Sequence, residues 1–448
     1  MKPVTRRHAV RSAYALAAAG AAACGPQPGT AGPEPSQGPV TVRAFIGGID
    51  AATADRWESE IAGPYRQRRA NVAIELVSQT SVAPSGATAE VMEKLTALIA
   101  GGDPPDITDL PRPATQLVPL GFLDESLDRL VRRDRFDTKQ FNQHEFERRA
   151  VYQGKVWQIP YKYLSNALVV VCNQHLFQAG NVAIPSADRP WEWSAFVDAL
   201  IKLTKRAGGA TSQFGLLNWG SQTYTWPLLW QTDWVSADGR TATCDSAEML
   251  DCYTRWAELF HRHNVIPRPG ETRDLFGTTS TPQLFFAGKG AMVIMSPGTW
   301  RTYITRGELA EIALAPMPKF KVSTADVATT DLGIARGSKR PADAWEVIKY
   351  FSEGSRLARY ANYLPAIAKD IEPWAREDVK RFPAVDVRVV LRAIETHAPN
   401  SRLSGHPKQD EILRVTGPAL DGLLEGKEAP VPLLRRLKPE LQAIIDRT

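Results

Sequence analysis

Catalytic signatures are missing from this chain. Its 448 residues include four cysteines and seven histidines. There is no C-x-x-C pair, no H-E-x-x-H and no G-x-S-x-G, so dithiol redox, zinc-peptidase and serine-hydrolase chemistry have no frame to stand on. The phosphate cradle G-x-x-x-x-G-K-[ST] is absent as well, which leaves no nucleotide-hydrolysis motif. His261 and His263 stand two apart and point in different directions on a helix; they read as a cation cluster at a helix C-terminus, not as a metal pair. No apolar run reaches the roughly 20 residues of a membrane-spanning helix. Charge of one sign is not concentrated: 54 Lys+Arg against 49 Asp+Glu gives +5, with four of the basic residues in the first eleven positions. The remainder is close to neutral and interspersed, so nothing offers a polyanion such as nucleic acid a basic footprint. No internal repeat is visible.

What is present begins at the N-terminus. Lys2, Arg6, Arg7 and Arg11 precede an Ala-rich run from Ala13 to Ala23, a pattern of export signals and not of folded structure. Thr5–Arg11 (T-R-R-H-A-V-R) resembles a twin-arginine export signal. Ala21–Cys24 (A-A-A-C) resembles a lipobox, in which the cysteine after the cleavage point carries the lipid, although Ala21 stands where Leu is commoner. Residues 1–24 are therefore expected to be an export signal ending at lipidated Cys24. Residues 25–39, almost all Gly, Pro, Gln, Ser, Thr and Ala, have no apolar period and are expected to be a flexible tether.

The rest is long enough for two domains or two lobes. Apolar runs at Val40–Ile46, Val72–Val77 and Asp106–Leu110 predict strands. Helical periods lie between them at Thr53–Arg69 and Thr88–Ala100, an alternation expected of a βαβ sheet covered by helices. Further strands are predicted at Ala167–Cys172, Ala291–Met295 and Asp331–Arg336. Helices are predicted at Trp193–Thr204, Ala247–His261, Ala342–Ser352, Val385–Glu395, Glu411–Leu424 and Pro432–Ile445. Cys172, in V-V-V-C-N, reads as a core thiol. Cys244 and Cys252 stand in a part expected outside the cytoplasm, where they either bridge or remain free.

Five separated segments, in order, resemble the extracellular solute-binding proteins of ABC importers, sugar-binding type. They are L-I-A-G-G-D-P-P-D-I-T-D-L (Leu98–Leu110), Y-Q-G-K-V-W-Q-I-P (Tyr152–Pro160) with a following strand ending Cys172-Asn173, W-E-W-S-A-F (Trp191–Phe196), F-F-A-G-K-G-A-M-V-I-M-S-P-G-T-W (Phe285–Trp300), and A-D-A-W-E-V-I-K-Y (Ala342–Tyr350) followed by Leu364–Ala366. Asp233-Trp234 stands where that family often has Gly-Gly, a departure that bears on the solute more than on the fold. The resemblance implies an α/β, periplasmic-binding-protein-like fold whose two lobes are discontinuous in sequence, with a hinge and an interlobe cleft. Residues 40–162 plus 333–364 form the first lobe in this reading, and 163–332 plus 365–448 the second. It further implies a monomeric carrier, lipid-anchored to a membrane outside the cytoplasm, that hands a small solute to a membrane permease and is not an enzyme.

The candidate binding surface centres on Asn218–Trp234, where four Trp and a Tyr crowd seventeen residues. A sugar offers an apolar C–H face for a ring to cover and hydroxyls for carboxylates and amides. Trp219, Tyr224, Trp226 and Asp233 are the candidates here. Trp226, Trp230 and Trp234 recur every four residues, which fits one buried helix face equally well. Trp300 follows a buried strand and Pro297-Gly298, and the resemblance makes its loop a source of a stacking ring. Asp50 and Asp109 follow strand ends, where open α/β sheets take ligands. Tyr161 and Tyr163 stand at the first implied lobe crossing and Asp331 at the second. No cofactor or metal is expected. The competing readings are a secreted carbohydrate-active hydrolase using two carboxylates and a non-transport scaffold lipoprotein with a degenerate cleft.

Overall fold

A computed structural model describes residues 34–47, 49, 51–78, 88–167, 169–217, 224–296, 300–301, 311–324, 326–395 and 401–447. The export signal and most of the tether lie outside these. Two five-stranded sheets organise the chain.

The first sheet contains β1 (Val40–Ile46), β2 (Val72–Ser78), β3 (Ile107–Thr108), β6 (Gln158–Ala167) and β12 (Asp326–Ile334). The order is β2-β1-β3-β12-β6. β2, β1 and β3 run parallel, while β12 lies antiparallel to both β3 and β6. Parallel neighbours require helical crossovers, and these cover β1: Val42, Ala44, Phe45 and Ile46 are all fully buried. The helix Pro341–Ser352 starts with Pro in its first turn and turns Trp345, Ile348 and Phe351 into the core beneath the sheet. A two-stranded ribbon, β4 (Val151–Tyr152) with β5 (Lys155–Val156), precedes β6.

The second sheet has the order β11-β7-β10-β9-β8. Its strands are β7 (Val169–Asn173), β8 (Lys205–Ala207), β9 (Ala210–Leu217), β10 (Gly290–Met295) and β11 (Ile312–Ala315). Every residue of β7 and β10 is buried. The helix Trp193–Leu203 lies against β9 so closely that a Cβ at Gly215 would stand 2.4 Å from the carbonyl oxygen of Leu200. Only glycine permits that approach. Beyond the sheet, helices Ala247–His261, Gln409–Leu424 and Pro430–Ile445 close a large aromatic and aliphatic core. Cys172, Cys244 and Cys252 are all free and buried, so the Cys244–Cys252 bridge, one of the two expectations, is not made.

The sheets are joined by chain crossings. β6 runs directly on into β7; the chain returns between Ala315 and Asp326; a third passage lies after the helix Arg356–Tyr360. The first and third passages are stitched together. Tyr163 N donates to Leu364 O (2.9 Å), Ala366 N donates to Tyr161 O (3.2 Å), and Lys162 pairs with Pro365. β6 and β12 are antiparallel along their length, with register shifts at Asp326/Ala328 and Thr330/Asp331. No helix among the described residues is long and apolar enough to cross a membrane.

Candidate functional site

At the carboxyl end of the parallel strands of the first sheet, two strand ends and the interior of β6 are tied by one carboxylate. Asp109, just beyond β3, accepts the Gly47 N–H from beyond β1 on Oδ1 (2.8 Å) and the Tyr161 hydroxyl from β6 on Oδ2 (2.6 Å). Lys162 Nζ lies 3.8 Å from the same Oδ2 and donates to Gly47 O at 3.3 Å. The ammonium also sits over two rings, 4.9 Å from the centre of Tyr161 and 4.2 Å from that of Tyr363. Asp109, Tyr161 and Lys162 are each at most 3% exposed. Burial pushes the Lys162 ammonium below its usual range, opposed by the Asp109 charge. Burial, and then the same carboxylate, pushes the Tyr161 phenol well above its own. Tyr161 is therefore a fixed neutral donor.

Asp331 lies opposite Pro160 on β12 and is fully buried. Its Oδ2 accepts from Arg149 Nε at 3.1 Å, and Arg149 is 3% exposed. Burial raises the Asp331 carboxyl and the guanidinium opposes that shift. Its other oxygen, Oδ1, has no hydrogen-bond partner among the described residues. Tyr163, two positions after Tyr161, is buried in the second core next to Leu364, and burial raises its phenol.

The aromatic segment behaves differently from its cleft reading. Trp226 opens a one-turn helix, Trp226–Leu229, and is 1% exposed. Its ring meets Trp193 edge-on at 5.8 Å. Trp230 meets Trp193 at 5.0 Å and donates Nε1–H to Asp251 Oδ2 at 2.8 Å. Trp234 packs on Tyr253 at 5.5 Å. The four-residue period thus builds core, and Trp226 offers no free face for stacking. Asp233 is likewise committed: Oδ1 accepts from Trp234 N (2.7 Å) and Ser401 Oγ (3.1 Å), and Oδ2 accepts from Arg402 N (2.5 Å). Burial pushes its pKa up to about 6 against those three donors. It is a carboxylate that holds the 401–402 segment, not an open acceptor. Trp300 is also corrected: it is 1% exposed, packs edge-on against Phe382 at 5.9 Å, and sits among the second core's side chains. A strand-end loop with Pro and Gly gave no sign that a neighbouring helical segment would cover the ring.

Tyr224 is partly buried, with its hydroxyl 2.8 Å from Thr416 Oγ1 and its ring 5.7 Å from Trp234. Asp50 and Trp219 lie outside the described residues, as do Asn218 and Gln222. The structure therefore gathers Asp109 and Tyr161, adds Lys162 and Gly47 to them, and leaves Tyr224, Trp226, Asp233 and Trp300 in the other lobe. Arg149 carried no sequence signal, since it sits in a charged helical stretch where a solvated face is the usual outcome. Among the described residues no group of His, Cys, Asp and Glu is arranged to hold a metal.

The comparisons agree with this architecture. The family model for bacterial extracellular solute-binding proteins matches residues 50–353. No curated protein matches the sequence. Among solved structures, the chain is similar to an ABC substrate-binding protein of Listeria monocytogenes in complex with cycloalternan, at 18% identity and TM-score 0.75, covering 90% of this chain and 98% of that one. It is similar to UgpB of Mycobacterium tuberculosis in complex with glycerophosphocholine, at 18% identity and TM-score 0.74, covering 92% and 99%. It is also similar to the maltose/maltodextrin-binding domain MalE of Bdellovibrio bacteriovorus bound to maltotriose, at 16% identity and TM-score 0.67, covering 91% and 99%. At such identities the likeness is one of fold: two lobes, each with its own sheet, on three crossings. With the family match spanning most of the sequence, the chain belongs to the bacterial extracellular solute-binding proteins, the non-enzymatic solute receptors of ABC importers.

Proposed function

We propose that this protein binds a carbohydrate, an oligosaccharide in the leading reading, between its lobes and delivers it to a membrane permease. In this reading it is a monomer, exported, lipidated at Cys24 and held by the 25–39 tether close to that permease, outside the cytoplasm. The lobes are taken as 40–162 with 333–364 and 163–332 with 365–448, except that residues 326–332, the first part of β12, pair in the first sheet and go with the first lobe. The observation that carries the reading is the knot of Asp109, Tyr161, Lys162 and Gly47 at the strand ends, beside the three crossings. It makes a rigid wall at the carboxyl ends of the parallel strands, where open α/β sheets take their ligands. Tyr161, Tyr163 and Asp331 form the floor in this proposal, with Asp50, Trp219 and Tyr224 supplied from the walls. Solved relatives with cycloalternan and maltotriose support the carbohydrate class.

A ligand that touches both walls binds the closed arrangement better and shifts the population towards it. Thermal unfolding of the mature protein with a panel of neutral oligosaccharides, monosaccharides and glycerophosphodiesters tests the assignment. A specific solute at 100 times its dissociation constant adds about 2.7 kcal/mol to stability. Stabilisation by oligosaccharides, recovered chemically unchanged, is the expected result. Stabilisation by a glycerophosphodiester alone would move the assignment to an anionic solute held by Lys162, a reading favoured by that buried ammonium and by the glycerophosphocholine-bound relative.

A further inference from the structure

Outside the three crossings, the two lobes meet at a second place. The segment from Ser401 to Asp410 belongs to the second lobe: Leu403 and Ile412 are buried in its core, Asp233 accepts from Ser401 Oγ and Arg402 N, and His406 Nε2 is 2.8 Å from Gly239 O. Across from it are residues of the first lobe, close to the strand-end knot. Arg112 Nη2 is 2.7 Å from Asp410 Oδ1. Gln116 donates Nε2–H to His406 O at 2.7 Å and to Gln409 Oε1 at 3.0 Å. Arg148 Nη1 donates to Ser404 Oγ at 3.3 Å. The Arg112 side of this contact is itself tied to the floor of the cleft. Arg112 O accepts from Gln158 Nε2 at 3.4 Å, and the same amide reaches Asp331 O at 3.4 Å.

Three features give this contact a function. It joins two independent cores with nearly 300 residues of chain between its halves, Gln116 and His406 being 290 apart, so it is not local packing. Its direct bonds are polar, and the Asp410 side chain is half exposed, so water can replace the Arg112–Asp410 pair as it opens. It also connects directly to the site, so relative lobe motion must either keep or break it. An apolar seam there would glue the lobes; a set of exchangeable polar bonds biases them reversibly.

Resting on the carrier reading, we propose that residues 401–410 are an interlobe clasp that holds the lobes together, and that solute enters by displacing this contact. The test is the interlobe distance in the ligand-free mature chain with Cys24→Ser. Spin labels at Asp55→Cys in the first lobe and Lys202→Cys in the second, both exposed positions, report it. The remaining native cysteines are buried. The parent should give one narrow distance distribution. Asp410→Arg combined with Gln116→Ala should give a broader and longer one, with an unchanged far-ultraviolet spectrum and a cooperative melt. Reversing the ion pair, Arg112→Glu with Asp410→Arg and Gln116 retained, should restore the narrow distribution, which a general loss of packing would not allow. Identical distributions in the parent and in the Asp410→Arg, Gln116→Ala protein overturn the clasp. The carrier reading is judged separately by adding the oligosaccharide panel to both proteins. A solute-driven distance change retains that reading whatever the clasp does; a clasp effect with no response to any solute removes it while leaving the clasp in place.

Discussion

Replacing Arg149 with methionine should be among the most damaging single changes in the protein, and its effect should depend on pH. Arg149 and Asp331 form an ion pair at 3.1 Å with side chains 3% and 0% exposed. At an effective dielectric constant near 20, opposite charges at that distance attract by about 5 kcal/mol. Losing one member of a buried pair typically costs about 3–5 kcal/mol, because the other charge stays buried without compensation. Methionine approximates the length of the arginine stem, so most of the loss is electrostatic. The Asp331 carboxyl is already raised by burial and lowered by Arg149. Without the guanidinium it rises further. A carboxyl whose folded pKa lies above its unfolded value favours the fold when protonated, so the variant should gain stability as pH falls towards the ordinary carboxylate range and lose it as pH rises through the raised value. Urea unfolding at pH 5 and pH 8 measures both effects. Adding Asp331→Asn to the variant removes the stranded charge and should recover much of the loss at pH 8. A loss below about 1 kcal/mol, set against the 3–5 kcal/mol of a buried pair, or no recovery with the second change, would refute the reasoning.

Asp233 gives a separate pH signature. Its pKa, raised from 3.8 to about 6 by burial, means that wild-type stability falls by up to about 3 kcal/mol as pH rises from 4 to 6; denaturant titrations across that range should show the slope, and Asp233→Asn should flatten it. Trp226→Ala should cost about 3–5 kcal/mol as a core truncation, and Trp226→Phe less; calorimetric titration of the refolded Phe variant should show unchanged solute affinity, since this ring offers the cleft no face. Burial raises all three thiols of the described core, Cys244 to about 12. A thiol-specific chromogenic reagent should therefore count none of them in the native mature domain and three after unfolding without reductant; a count of one would mean a bridge.

Much of the fold could be read from periodicity. The strand Val40–Ile46 and the helices Thr88–Ala100 and Ala247–His261 stand at the predicted bounds, because each is a clean apolar period closed by a turn or a cap such as Ser246, whose hydroxyl accepts from Met249 N. β12 was only half legible: Asp331–Ile334 reads as apolar strand, but Asp326–Thr330 is polar and becomes strand by pairing with β6, a partner about 165 residues away. The β8–β9 hairpin, with Gly208-Gly209 at its turn, was missed because its first strand, Lys-Arg-Ala, has no apolar face.

The site was less legible than the fold. Strand ends pointed to Asp109, which the structure ties to Gly47 and Tyr161. Periodicity alone could not say whether Trp226 and its neighbours faced ligand or core, since a stacking ring and a packed ring have the same sequence signature; edge-on packing against Trp193 settles it. Partners such as Arg149 for Asp331 and Ser401 for Asp233 lie 182 and 168 residues away, beyond any local pattern.

The central claim is that two lobes close over a solute that they release unchanged. Small-angle X-ray scattering during an oligosaccharide titration, with the sugar recovered afterwards, addresses it most directly. The account predicts a saturable, one-to-one change in radius of gyration and intact sugar; an invariant radius with every solute in the panel, or sugar returned cleaved, would contradict it.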